Sequence, residues 1–284
     1  MSRLAERPSW GALWEVVMAV AVSRLKLMSR YPGALFVDIV MPVMIAAIPV
    51  LMGRSLTGPS GIAAFEQNAG TTNYVAYMLI GSSIFMVVSN SLWNFGFWMR
   101  REQQTGTLEA LYLAPPSRFW LLLGVSIYGT VRNLLSFALS FILGCLVFRV
   151  NPLQGDILLA LGFLLLGLVP VYGISLLYGA LVLRLKEANA LIQIAQWLVS
   201  LLMGMYFPIT VFPPFLRAVA LLFPPTWMNN GARAALLGVG WFFETWYADL
   251  AVLGVFAVVL PVLGYQVFRL VERGAQRGEG IGSF

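Results

Sequence analysis

The stretch ILLALGFLLLGLVPVYGISLLYGALVL, at residues 157–183, contains no charged side chain. As an α-helix it would be about 40 Å long, which exceeds the roughly 30 Å hydrocarbon core of a bilayer. Five other long apolar segments occur in the chain, so we predict six transmembrane helices. In chain order, the six segments are 34–52, 74–98, 119–148, 157–183, 188–207 and 248–268.

Composition supports this prediction across the whole chain. Of the 284 residues, 60% are hydrophobic and 11% are charged, whereas soluble proteins are about 45–50% apolar and about 25% charged. We therefore predict an all-α polytopic membrane protein, with residues 1–284 forming a single transmembrane domain. Cys145 is the one cysteine and histidine is absent, which excludes disulfide frameworks, zinc clusters and Ser/His/Asp triads.

The basic residues indicate how the chain is oriented. Thirteen of the 18 Lys and Arg residues lie before the first span, between the second and third, between the fourth and fifth, or after the sixth, and four lie in the alternate connections. The positive-inside rule then places both termini, including the tail 269–284, in the cytoplasm. Because these charges are dispersed among apolar segments, they do not indicate a nucleic-acid surface. The expected location is a cell membrane, either inner or plasma.

Residues 9–31 precede the first span and have a helical pattern. Apolar side chains recur at three- and four-residue steps from Trp10 to Met28, and polar side chains occupy the other face. Two tryptophans and a basic flank favour an amphipathic helix in the cytoplasmic interface. The alternative is an ordinary packing helix on a soluble domain.

The connection between the second and third spans contains a short predicted helix at 106–114. Thr107 can cap its first turn, Glu109 lies at its positive dipole end, and Pro115 stops it. A helix of this length is not stable alone. It either docks on a partner or is a capped turn that joins two spans.

The connection between the fifth and sixth spans, 208–247, is apolar and interrupted by prolines. They divide it into two helical pieces, each too short to cross a bilayer. We expect a re-entrant helical hairpin that enters the outer leaflet, with its backbone covered by protein.

Two ionisable residues lie within predicted spans. Arg132 is about 20 Å into the third segment, where a charge is costly and faces a bundle interior or a cavity. Asp38 is a few residues into the first, so the difference in depth gives no reason to pair the two. Both a functional role and a structural ion pair for Arg132 are left open.

Polar residues are frequent in the second and fifth spans. They either join helices by hydrogen bonds or line a translocation route. Aromatic and methionine side chains of the fifth span and hairpin form an apolar constriction or ordinary core. The route candidates are Asn90, Asn94, Gln193, Trp197, Met203, Phe207 and Arg132.

The chain resembles the membrane subunits of type 2 ABC exporters, the ABC-2 permeases. The most specific element is the run Glu102-x3-Gly106-Thr107-Leu108-Glu109 followed by Pro115, which looks like the coupling helix of that family. The interfacial helix, six spans and outer hairpin extend the resemblance over nearly the whole length. The docking residues that the resemblance implies are Arg101, Glu102, Gly106, Thr107, Leu108, Glu109, Leu111 and Tyr112.

The resemblance implies two permease subunits, identical or related, and two copies of a cytoplasmic ATP-binding subunit. No Walker A pattern occurs in the chain, so we expect ATP and Mg²⁺ to bind the partner, with no catalytic residue, cofactor or metal here. Amphiphilic cargo such as a drug, lipid or lipid-linked glycan is implied, and the route lies at the dimer axis. The alternatives are a membrane-embedded lipid-modifying enzyme and an ATP-independent transporter or channel.

Overall fold

The computed structural model describes residues 10–56, 59–96, 118–151, 155–182 and 188–277, and all regular secondary structure within them is helical. The helices are α1 Trp10–Arg30, α2 Gly33–Leu56, α3 Pro59–Ala69, α4 Tyr74–Gly96, α5 Arg118–Phe148, α6 Ile157–Val182, α7 Ala188–Leu202, α8 Pro214–Leu221, α9 Pro224–Leu237 and α10 Trp246–Arg277, with a 3₁₀ turn at Ile209–Val211.

Several helices begin and end where the sequence supplies a cap. Asn73 accepts a hydrogen bond from the Ala76 amide at the start of α4, and Asp156 accepts one from Leu159 at the start of α6. Prolines begin α8 and α9. The prolines of the 208–247 connection therefore produce the two short helices that the sequence predicts.

Five of the described helices are long and apolar enough to cross a membrane: α2, α4, α5, α6 and α10. The predicted fifth span corresponds to α7, which has 15 residues and ends at Leu202, short of the predicted boundary at 207. Helix α10 continues past residue 268 to Arg277. Helix α3, between the first and second spans, was not predicted.

Helix α4 lies at the centre of the bundle. It is the most buried of the candidate spans and contacts α2, α5, α6 and α9. Its apolar side chains Leu79, Ile80 and Ile84 are fully buried in the largest hydrophobic cluster. Helix α10 packs on α6 and is the least buried of the candidate spans.

Helix α1 packs along the first turns of α5. Val17 and Ala21 are buried in this contact, whereas Trp10 and Trp14 are exposed. A Cβ on Gly124 of α5 would lie 2.7 Å from the Val17 carbonyl oxygen, so glycine permits the close approach. The apolar face of α1 thus packs on α5 in its middle, whereas the tryptophans near its N-terminus remain exposed.

Candidate functional site

The predicted route residues lie on helices α4, α5 and α7 and in the turn that follows α7. On α7, Gln193 is exposed and Trp197 is 76% exposed, whereas Met203 is buried in the core. Phe207 is half-buried and its ring contacts Phe212 edge-on at 5.5 Å. The uncovered candidates on α7 therefore form one stripe, and Met203 lies on the opposite side.

The candidates on α4 are partly buried. The Asn94 side chain donates to the Asn90 carbonyl of its own helix. The Asn90 amide nitrogen is buried and has no hydrogen-bond partner among the described residues. Beside them, Trp93 is exposed, so this end of α4 presents two amides and an indole along one face.

Other polar residues of α4 join it to α5. The Asn133 amide donates to the Ser91 hydroxyl at 2.9 Å, and the Ser140 hydroxyl donates to Ser83 at 3.1 Å. A third bond, 2.9 Å long, joins the Thr130 and Tyr172 hydroxyls of α5 and α6. For these serines the packing interpretation of the polar second span holds, because their hydroxyls connect helices.

Arg132 pairs with Asp38, contrary to the depth argument from sequence. Its Nε and Nη2 atoms lie 2.9 and 2.5 Å from Asp38 Oδ2, and the side chains are 14% and 6% exposed. The depth argument took residue 119 as the point of entry into the membrane. Helix α5 has 31 residues, or about 46 Å, and its first turns lie against α1, so Arg132 is level with the beginning of α2.

The C-terminus of α7 is closed by its own backbone at Gly204. This glycine has φ +63°, and the Gly204 and Met205 amides donate to the Leu201 and Ser200 carbonyls. These two bonds define a Schellman motif. They leave the carbonyl oxygens from Leu202 to Met205 without a partner from this motif.

Helix α9 supplies those partners from one polar stripe. Thr226, Asn229 and Arg233 follow one another at steps of three and four residues, and all three are buried. Thr226 Oγ1 donates to the Leu202 carbonyl at 3.1 Å, and Asn229 Nδ2 donates to Met203 at 2.8 Å. Arg233 donates through Nη1 to Gly204 at 2.7 Å and through Nη2 to Met205 at 2.6 Å. We call these three side chains the capping stripe.

Arg233 also holds the beginning of α4. Its Nε and Nη2 atoms donate to the Tyr77 carbonyl at 3.1 and 3.0 Å, and its guanidinium carbon lies 3.5 Å from the centre of the Tyr77 ring. A Cβ on Gly81 would overlap the Arg233 guanidinium and the Met205 carbonyl, so glycine opens the space. Burial lowers the pKa of Arg233 to about 10, so the guanidinium stays charged at neutral pH and faces the negative end of the α7 dipole.

The predicted docking helix at 106–114 lies outside the described residues, as do all of the predicted docking residues: Arg101, Glu102, Gly106, Thr107, Leu108, Glu109, Leu111 and Tyr112.

Sequence reasoning missed the capping stripe. Arg233 was counted only as one of the basic residues of the outer connections. The signal is present in the sequence, because Thr226, Asn229 and Arg233 occupy one face of a helix that is otherwise rich in alanine and leucine. Three polar residues at that spacing in an apolar helix indicate a buried polar partner, although not which one.

Comparison with known proteins gives one family match. The model of a family described as ABC-2 family transporter protein matches residues 36–265, which extend from the first turn of α2 into α10. No curated protein matches the chain.

Proposed function

Because the chain belongs to the ABC-2 family of transporter proteins, we propose that it is the permease of an ATP-driven exporter that moves an amphiphilic substrate outward. A membrane permease of this family works with an ATP-binding subunit. The proposal adds the direction, the cargo class and an assembly of two permeases with two ATP-binding subunits, in which the permeases are identical or related.

We propose a topology of six spans with cytoplasmic termini, in which α7 is the fifth span and α8–α9 form a re-entrant hairpin on the outer side. The ends of α10 support this orientation. Trp246 and Tyr247 are exposed at its N-terminus, where an aromatic belt marks a membrane interface, and Arg269 and Arg273 lie near its other end.

The observation that carries the docking part is the contact between α1 and α5. Helix α5 begins at Arg118, immediately after the segment 106–114 and Pro115. Trp10 of α1 contacts Trp120 of α5 edge-on, with 5.8 Å between the ring centres. The contact brings α1 beside the end of the connection that contains the docking helix, so a single ATP-binding subunit would engage both. ATP and Mg²⁺ would be bound by that subunit.

The proposed route runs along the uncovered stripes of α4 and α7 between two permeases. Trp93 and Trp197 offer broad apolar surfaces, and Gln193 offers an exposed amide. This mixture suits an amphiphile with an apolar body and a polar head. No residue of the chain is assigned a catalytic role.

The test is ATP-dependent export from cells or vesicles that hold the permease together with its ATP-binding subunit. Glu109→Ala combined with Leu111→Asp should abolish copurification of the ATP-binding subunit and ATP-dependent export. Glu66→Ala on α3 is the matched control, because Glu66 is exposed on the opposite, outer side of the proposed topology.

Export that survives the double substitution would overturn the docking assignment. Export that persists when the ATP-binding subunit is absent would overturn the ATP-driven mechanism and favour an ATP-independent transporter.

A further inference from the structure

The described contacts join the outer helices α8 and α9 to the end of α7. We infer that the capping stripe makes α9 the C-terminal cap of α7, with Arg233 as the positioning residue, so that the outer pair, the end of α7 and the beginning of α4 move as one body. The outward opening then takes place between two permease subunits, not at a hinge between α7 and the outer pair. This second statement rests on the proposed export function.

The carbonyl groups at the end of α7 depend on α9 for their hydrogen-bond donors. A helix ends with carbonyls that have no partner within it, and away from water each must find another donor. The Schellman motif satisfies Ser200 and Leu201. Side chains of α9 satisfy the next four carbonyls, Leu202 to Met205. Moving α9 away from α7 would leave these groups unsatisfied in a buried place.

Helix α9 also packs against α6 and α4. Gly231 lies against Phe163 of α6, where an added Cβ would overlap the ring, and Met228 lies against Gly167 in the same way. Arg233 reaches Tyr77 of α4 through its remaining donors. Helix α9 is thus held on α4, α6 and α7 of its own chain, and a hinge between α7 and the outer pair would break the hydrogen bonds from α9 to the end of α7.

The connection that leads into α8 is joined to α4 through α3. Thr210 Oγ1, in the 3₁₀ turn, donates to the Asn68 carbonyl of α3 at 3.0 Å. Helix α3 is in turn held on α4, because Phe65 contacts Tyr77 edge-on at 5.3 Å. Both ends of the outer pair are therefore joined to the beginning of α4.

The cap is tested by hydrogen exchange on the complete permease in lipid nanodiscs, with no need for transport. In Arg233→Met, the amides of the turn at 203–207 should exchange about tenfold faster or more, the factor that corresponds to one lost charge-assisted hydrogen bond. Amides around Leu253 in α10 should be unchanged. Arg217→Met is the matched control, because Arg217 lies exposed on α8.

A milder variant guards against a failure of Arg233→Met to fold. Thr226→Val keeps the side-chain shape and removes only the bond to Leu202, so exchange in the turn should rise by a smaller factor. Exchange that matches the wild type in both variants would overturn the cap.

The moving unit is tested by a disulfide. In a Cys145→Ala background, Asn68→Cys with Thr210→Cys joins α3 to the 3₁₀ turn through two exposed positions. If the outer pair moves with α4, oxidation leaves ATP-dependent export unchanged. A fall in export that dithiothreitol reverses would show a hinge and overturn the inference.

Arg233→Met should reduce ATP-dependent export, because it removes a tie between the outer pair and α4. The disulfide should restore export to this variant, because it supplies another tie to α4 through α3. Single-cysteine variants control for the oxidant. If the reduced wild type shows no ATP-dependent export, the proposed function fails, and the exchange measurement still decides whether α9 caps α7.

Discussion

Substitutions that break the ion pair between Arg132 and Asp38 should show whether the charge of Arg132 serves only stability or also serves transport. Two N–H groups of Arg132 meet one oxygen of Asp38, and both side chains are mostly buried. Removal of one partner of such a pair costs about 3–5 kcal/mol, because a charge is left without compensation. Arg132→Met and Asp38→Asn should each lose about this amount of the free energy of unfolding, out of a total of about 5–15 kcal/mol for a typical protein.

The double variant Asp38→Asn/Arg132→Met should lose much less than the sum of the two single losses, since a neutral pair leaves no charge uncompensated. The assay is equilibrium unfolding of all four proteins in mixed micelles, followed by ATP-dependent export. A structural pair predicts that the double variant regains both stability and export. A charge that faces the translocation route predicts a stable double variant that does not export.

Two outcomes would refute the reasoning about stability. The first is a single variant as stable as the wild type, which would mean that the lost partner compensated no buried charge. The second is a double variant that loses the sum of the single losses, which would mean that the two side chains do not interact.

Two glycine substitutions test close contacts elsewhere. Gly204→Ala should lower the free energy of unfolding by about 1–2 kcal/mol, because the left-handed conformation disfavours a Cβ and the new methyl would lie 2.7 Å from the Phe207 carbonyl. The control is Gly162→Ala, because the space around Gly162 is open. Equal losses of stability in thermal unfolding of the two variants would contradict the strain argument. Gly124→Val should displace α1 from α5 and reduce copurification of the ATP-binding subunit while the fold persists; full copurification would show that α1 does not contribute to docking.

The long helices could be predicted because their signal is local. A charge-free run such as 157–183 has one arrangement in a bilayer, and the observed α6 follows it closely. The prolines that divide the 208–247 connection act within one turn, so its division into two short helices, α8 and α9, could be predicted. Helix α7 was predicted too long, because the apolar residues 203–207 continue the hydropathy while Gly204 turns the backbone.

The polar contacts could not be predicted because they depend on how helices are staggered. The Arg132–Asp38 pair forms because the first turns of α5 extend, along the bundle axis, beyond the beginning of α2. Helix α1 packs on these first turns of α5. Arg233 finds its partners in Tyr77 and Gly204, which are 156 and 29 residues away. Backbone carbonyls leave no trace in a sequence, so Arg233 was counted only among the basic residues of the connections, although it makes four hydrogen bonds to buried carbonyls.

The capping stripe also constrains the order in which the chain matures during synthesis. Helix α7 leaves the ribosome before α9, so the Leu202 carbonyl has no side-chain donor until Thr226, 24 residues later, has been synthesised. Until then the end of α7 has only its backbone motif, and bilayer lipid offers no donors in exchange. The end of α7 therefore becomes a finished part of the bundle only when α9 has been made.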